Sequence, residues 1–218
     1  MPETRSLAQA IRERSWKSHG ASEGAGFMAR LLKGHATRDD YTALVVQHFY
    51  MYEALEAAAE QLAGHPEFDA VNDARLRRMP AIEADLAHLM GEGWRTRISP
   101  VASVTRYAAR IRKVTAQGWA GGVIAHHYTR YLGDLSGGQH IKKVMQRHFD
   151  LGDDGVRFYM FDIDDIDAFK NAYRAELDRM PWDDAEFERV VDETLAAYQF
   201  NTDVFTDLEA SQPTPALA

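Results

Sequence analysis

Between Val123 and His148, apolar residues recur at helical spacing (Ile124, Tyr128, Leu132, Leu135, Ile141, Val144, Met145), yet Gly133, Gly137 and Gly138 interrupt the same run. A glycine inside a helix costs roughly 1 kcal/mol relative to alanine, so the three together forgo about 3 kcal/mol of local stability. Their i, i+4, i+5 spacing brings all three near one side of the helix and leaves a strip of backbone without side chains. Such a strip admits either a second helix packed closely or a flat, bulky ligand. Asp134, one turn after Arg130, favours the ligand. A carboxylate is poorly suited to a dry helix–helix seam and well suited to an ordered polar network beside a bound group.

The rest of the chain reads as helix. Leu7, Ala10 and Ile11 start one that runs to about His19, and Phe27 to Lys33 forms a short one closed by Gly34. Thr37 with Asp40 makes a capping box for a helix carrying Tyr41, Leu44, Val45, His48, Phe49, Tyr52 and Leu55 and ending near Gly64. Pro80 opens another that stops at Gly91 and Gly93, and Ser99-Pro100 reads as N-cap and N1 of a helix ending before Gly118. After the glycine-interrupted run comes a loop near Gly152 to Gly155. Asp164 or Asp165 then caps a helix through Phe169, Tyr173 and Leu177, and Asp183 to about Leu208 forms the last. No period-2 run of β-branched residues competes. The expected fold is all-α, a single domain of seven or eight helices over residues 1–210 with a short tail at 211–218.

Composition narrows the chemistry. The chain has 218 residues, 45% of them hydrophobic, which suits one full-sized core. It has no cysteine, which removes disulfides, thiolate metal sites and a cysteine nucleophile and fits a reducing cytoplasm. A net charge of −8 argues against nucleic acid as the main partner. The N-terminal segment lacks the apolar core of a signal peptide, and no stretch is apolar enough to anchor in a membrane. A soluble, cytoplasmic protein is expected.

The segment AHHYTRYLGDLSGGQ, Ala125 to Gln139, resembles the distal-helix signature of the heme oxygenase family almost letter for letter. Four further segments match in order: His19 followed by Glu23 and Phe27-Met28, Tyr52 within FYMYEALE, FKNAYR from Phe169 to Arg174, and FNTDVF near the C-terminus. The likeness spans about residues 5 to 208. It departs at HGASE, where Ser22 replaces the usual Ala, and at Arg12, where Lys is common.

The resemblance implies an all-helical fold in which heme b, both substrate and cofactor, lies between a proximal helix and the glycine-rich one. It implies O2-dependent opening of heme at the α-meso carbon to biliverdin, carbon monoxide and ferrous iron. Electrons come from a ferredoxin or an NAD(P)H-dependent reductase. His19 is implied as the axial iron ligand, with Glu23 one turn on holding its other ring nitrogen. Gly133, Gly137 and Gly138 let the backbone approach the porphyrin. Asp134, with Tyr52 and Arg130, organises water that carries protons to the reacting oxygen without touching it. Arg12, Tyr128, Lys170 and Arg174 form the propionate set that orients the ring, and Phe200 and Asn201 wall the pocket and extend the network. His126 and His127, on the distal helix, are read as structural, since a second strong ligand would block O2. Lys142, Lys143 and Arg147 offer a basic surface for an acidic electron donor. The main alternative is a heme-binding carrier or sensor without turnover. A di-iron carboxylate bundle lacks its paired Glu-x-x-His motifs, because Asp85 and His88 stand alone.

Overall fold

The computed structural model describes residues 6–22 and 26–211, with backbone alone for 15–22. Among the described residues there are ten α-helices and no strand. They are α1 (Leu7–Ser22), α2 (Phe27–Leu32), α3 (Arg38–Gln61), α4 (Pro66–Asp69), α5 (Met79–Met90), α6 (Ala102–Ala116), α7 (Ala120–Gly133), α8 (Gln139–Phe149), α9 (Ile166–Leu177) and α10 (Asp184–Ala210). The expected all-α fold is observed. The long distal run, however, is not one helix but α7 and α8 joined by a π-helical turn at Asp134–Gly138.

Local chemistry starts most of these helices as the sequence indicates. At α3 the capping box is reciprocal: Asp40 N–H donates to Thr37 Oγ1 at 3.1 Å and Thr37 N–H to Asp40 Oδ2 at 2.7 Å. Asp165 caps α9 through Ala168 N–H, and Asp183 caps α10 through Glu186 N–H. Gly34, at φ 72°, follows α2 in the left-handed conformation expected of a closing glycine.

The start of α6 differs. Ser99-Pro100 does not cap it; Val101 does, with no side-chain bond of its own. Two distant residues satisfy the free amides instead. Val101 N–H donates to Gln47 Oε1 at 2.9 Å, and Ser103 N–H to Asp207 Oδ2 at 2.8 Å. Tertiary partners thus move this boundary by two residues.

Packing arranges the helices around α3, α7 and α10. α10 lies along α7 and also meets α6 and α1, while α3 packs on α6, α5 and α7. The seam is filled by fully buried side chains such as Leu44, Val45, Ile111, Val123, Ile124 and Val190. Two glycines make the start of α7 possible. A Cβ on Gly121 would lie 2.6 Å from Glu186 Oε1, and one on Gly122 2.4 Å from the Trp119 ring.

The loop after α8 is pinned from several sides. Asp85 is fully buried and accepts from Arg157 N–H at 2.9 Å and Phe158 N–H at 2.8 Å. Burial pushes its carboxyl up to about 6 against the pull of these amides. Tyr41 Oη donates to the Gly155 carbonyl at 2.7 Å, and Arg78 Nη1 donates to the Met160 carbonyl at 2.6 Å. This loop backs the π-helical turn.

Candidate active site

The π-helical turn brings a carboxylate into a buried polar cluster. Asp134 is 7% exposed, and the Tyr52 hydroxyl donates to its Oδ2. Arg130 Nη2 sits 3.7 Å from Asp134 Oδ1, an ion-pair distance too long for a direct hydrogen bond. The same guanidinium donates to Asn201 Oδ1 at 2.8 Å and to His48 Nδ1 at 3.1 Å, and it lies over the Tyr52 ring at 5.3 Å. α3, α7, the turn and α10 therefore converge on one network.

Electrostatics assign the protons. Burial, followed by the Arg130 charge, drives His48 well below the usual histidine range, so it is neutral and accepts at Nδ1. Burial raises the Tyr52 hydroxyl well above its usual range, and the Asp134 charge adds to this, so it keeps its proton. Burial raises Asp134 too, while Arg130 and the Tyr52 hydrogen bond pull it back only in part. Arg130 stays charged: burial opposes its charge, but Tyr52 and Asp134 more than restore it.

Gly133, at the end of α7, and Gly137 and Gly138, in the turn, do not act alike. A Cβ built on Gly133 or Gly137 meets no other atom within 4 Å, and both residues are exposed. Gly138 is buried, and its Cβ would lie 2.8 Å from the Tyr159 ring. The bare surface is therefore made by Gly133 and Gly137, with exposed Ser136 between them. Gly138 instead lets the turn seat against the 155–160 loop.

The basic residues gather on the α9 side. Buried Tyr128 is raised by burial, with the Arg174 charge and hydrogen bond and the Arg12 charge opposing that rise. Lys170 Nζ lies 2.8 Å from Asp167 and 3.4 Å from Ser136 Oγ, which ties α9 to the turn. Phe200 is half-buried and stacks on Tyr107 with ring centroids 5.0 Å apart. His127 is buried and shares a 2.7 Å hydrogen bond with Tyr173, and burial takes its ring to about 3. His126 Nε2 lies 2.9 Å from Glu193 Oε1, off the axis of a hydrogen bond. Glu193 is held at about 2: burial pushes it up, but Arg110 and His126 more than offset that. The side chain of His19 and the whole of Glu23 lie outside the described residues.

The sequence of this chain matches the model of the heme oxygenase family over residues 5–207. It is 39% identical to heme oxygenase 1 of Synechocystis sp. over 206 residues, which covers 94% of this chain and 85% of that protein. This chain belongs to the heme oxygenase family. Its fold agrees. A crystal structure of Synechocystis heme oxygenase-1 in complex with heme superposes with a TM-score of 0.88 at 39% identity, covering 94% of this chain and 93% of that one. A crystal structure of Synechocystis heme oxygenase-2 in complex with heme and NO gives 0.89 at 34% identity, covering 94% and 86%. No described helix of this heme oxygenase is long and apolar enough to cross a membrane.

Sequence reasoning missed several members of the network. His48 stands one turn before Tyr52 on α3, and that i, i+4 relation could have flagged it. Arg78, whose charge pulls Asp134 down, and Tyr107 and Tyr159, whose hydroxyls feel the Arg130 and Asp134 charges, come from separate elements, and nothing local marks them.

Proposed function

We propose that this heme oxygenase binds heme b and opens it at the α-meso carbon, yielding biliverdin, carbon monoxide and ferrous iron. The observation that carries the reading is the buried Tyr52–Asp134–Arg130 network beside a patch of backbone, Gly133 and Gly137, that no side chain covers. A carrier has little use for a buried carboxylate there, since burying one costs free energy. The bare patch and the cationic edge suit a flat ring bearing two carboxylates.

Bound heme supplies the iron at which O2 is reduced and is itself the ring that is opened. The remaining roles belong to the chain. His19 is assigned as the axial ligand and Glu23 as the acceptor of its other ring nitrogen, on their resemblance to the family's motif around its iron ligand. Arg12, Lys170, Arg174 and Tyr128 bind the propionates and set which ring edge faces the distal side. Gly133 and Gly137 allow the ring close to the backbone, and Gly138 seats the turn that carries Asp134. Phe200 borders the pocket through its stack on Tyr107. Asp134, whose affinity for a proton is raised by burial, holds and passes protons through water, while Tyr52 and Arg130 fix its orientation. A ferredoxin or NAD(P)H-dependent reductase supplies electrons, docking near Lys142, Lys143 and Arg147 on α8. Of these, Lys143 and Arg147 are exposed.

The test is hemin addition followed by reductant under air. A Soret band that decays as biliverdin absorption grows is expected. A stable band that persists through reduction and aeration identifies the carrier and overturns the proposal. His19→Ala is expected to abolish the histidine-ligated spectrum.

A further inference from the structure

Tyr159 lies in the loop after α8, outside every motif that marks the site. It is 1% exposed, and its hydroxyl is buried with no hydrogen-bond partner among the described residues. Buried hydroxyls are almost always satisfied, and phenylalanine would fill the same volume without the desolvation cost. A water molecule is therefore the partner this hydroxyl calls for, provided further polar groups stand near enough to hold it.

They do. The single Cβ position at Gly138 lies 2.8 Å from Tyr159 Cδ1 and 3.6 Å from Asp134 Cβ, so the ring and the Cβ of Asp134 flank the same point of the turn. After burial, the Asp134 charge is the largest influence raising the Tyr159 hydroxyl, so the phenol keeps its proton and can donate. Arg130 Nε is another buried donor without a partner among the described residues, on the guanidinium that stops 3.7 Å short of Asp134 Oδ1. Tyr159 is also held firmly. Its carbonyl accepts from Gln139 Nε2 at 2.8 Å, and the preceding Phe158 is anchored by Asp85 and stacks on His48 at 4.5 Å.

We propose that Tyr159 is a positioning residue of the reaction: its ring seats the turn at Gly138, and its hydroxyl anchors a buried water hydrogen-bonded to the Asp134 carboxyl. The consequence for chemistry rests on Asp134 being the proton-handling group proposed above.

Tyr159→Phe tests it, because this change removes one oxygen and keeps the ring. In the full chain without hemin, the Asp134 carboxyl is followed by carbon-13 NMR across a pH titration. A water donated to the carboxylate favours its charged form, so its loss raises the Asp134 pKa. The expected rise is about 0.5–1 pH unit, a three- to tenfold change in proton affinity. With hemin added, the pH of the acid–alkaline spectral transition is expected to move while the Soret intensity holds. A crystal structure of the wild type is expected to show a water on the Tyr159 hydroxyl that the variant lacks. An unchanged Asp134 titration, or no water on that hydroxyl, overturns the proposal and leaves Tyr159 a packing residue. Because the carboxyl titration needs no hemin, failure of heme uptake would count against the proposed function alone.

Discussion

Alanine at Gly133 and alanine at Gly138 are expected to move the stability of the ligand-free chain in opposite directions. Both positions have helical backbone angles, φ −61°, ψ −47° at Gly133 and φ −57°, ψ −34° at Gly138, so alanine is conformationally acceptable at each. At Gly133 the new methyl meets nothing within 4 Å. The gain is the usual glycine-to-alanine one of about 0.4–1 kcal/mol, or roughly 1–4 °C in Tm for a domain of this size. At Gly138 the methyl would sit 2.8 Å from a ring carbon of Tyr159, which Phe158 and the 155–160 loop hold in place. Overpacking of that kind costs about 1–3 kcal/mol, enough to outweigh the propensity gain and lower Tm by several degrees. Heme uptake should show a different pattern. The Gly133 methyl stands on the face assigned to the porphyrin, so Gly133→Ala is expected to give a more stable chain that takes up hemin less well. Thermal melts followed by circular dichroism, paired with Soret titrations, measure both. A Gly133→Ala chain that melts lower, or binds hemin as well as wild type, refutes the reasoning.

Asp134→Asn and Tyr52→Phe are expected to retain the hemin spectrum but lose most biliverdin formation, read as single-turnover absorbance; an unchanged rate in Asp134→Asn would remove that residue from proton handling. Glu193 is held at about 2 against a usual 4.5, so its contribution of about 3 kcal/mol is complete above pH 4.5 and disappears as pH falls through about 2. Urea unfolding at a series of pH values should show this slope in the wild type and a flatter one in Glu193→Gln. Thr37→Ala removes half of the α3 capping box and should cost about 1 kcal/mol, or roughly 2–4 °C in Tm, with hemin uptake unchanged.

Much of the fold was legible because its signals are local. The capping box at Thr37, the start at Asp183 and the closing Gly34 appear where residue chemistry alone puts them, and of the two candidates Asp164 and Asp165 the structure uses Asp165 to cap α9. The α6 start was misread because its amides are satisfied by Gln47 and Asp207, partners that sequence adjacency cannot supply. The four-residue α4 went unseen because so short an element has no measurable period.

The site divides along the same line. Sequence by itself determined the helical class, the glycine-rich run with its carboxylate, and the family, since these depend on residue identity and spacing within one segment. Only the tertiary structure decided that the run breaks into a π-helical turn. It also decided that Gly138 serves packing while Gly133 and Gly137 stay bare, and that His48, Asn201 and Tyr52 meet at Arg130. The reason is physical. A glycine's role depends on what lies across from its missing side chain, and a buried carboxyl's proton affinity depends on partners such as the Tyr52 hydroxyl, which α3 brings from 82 residues away.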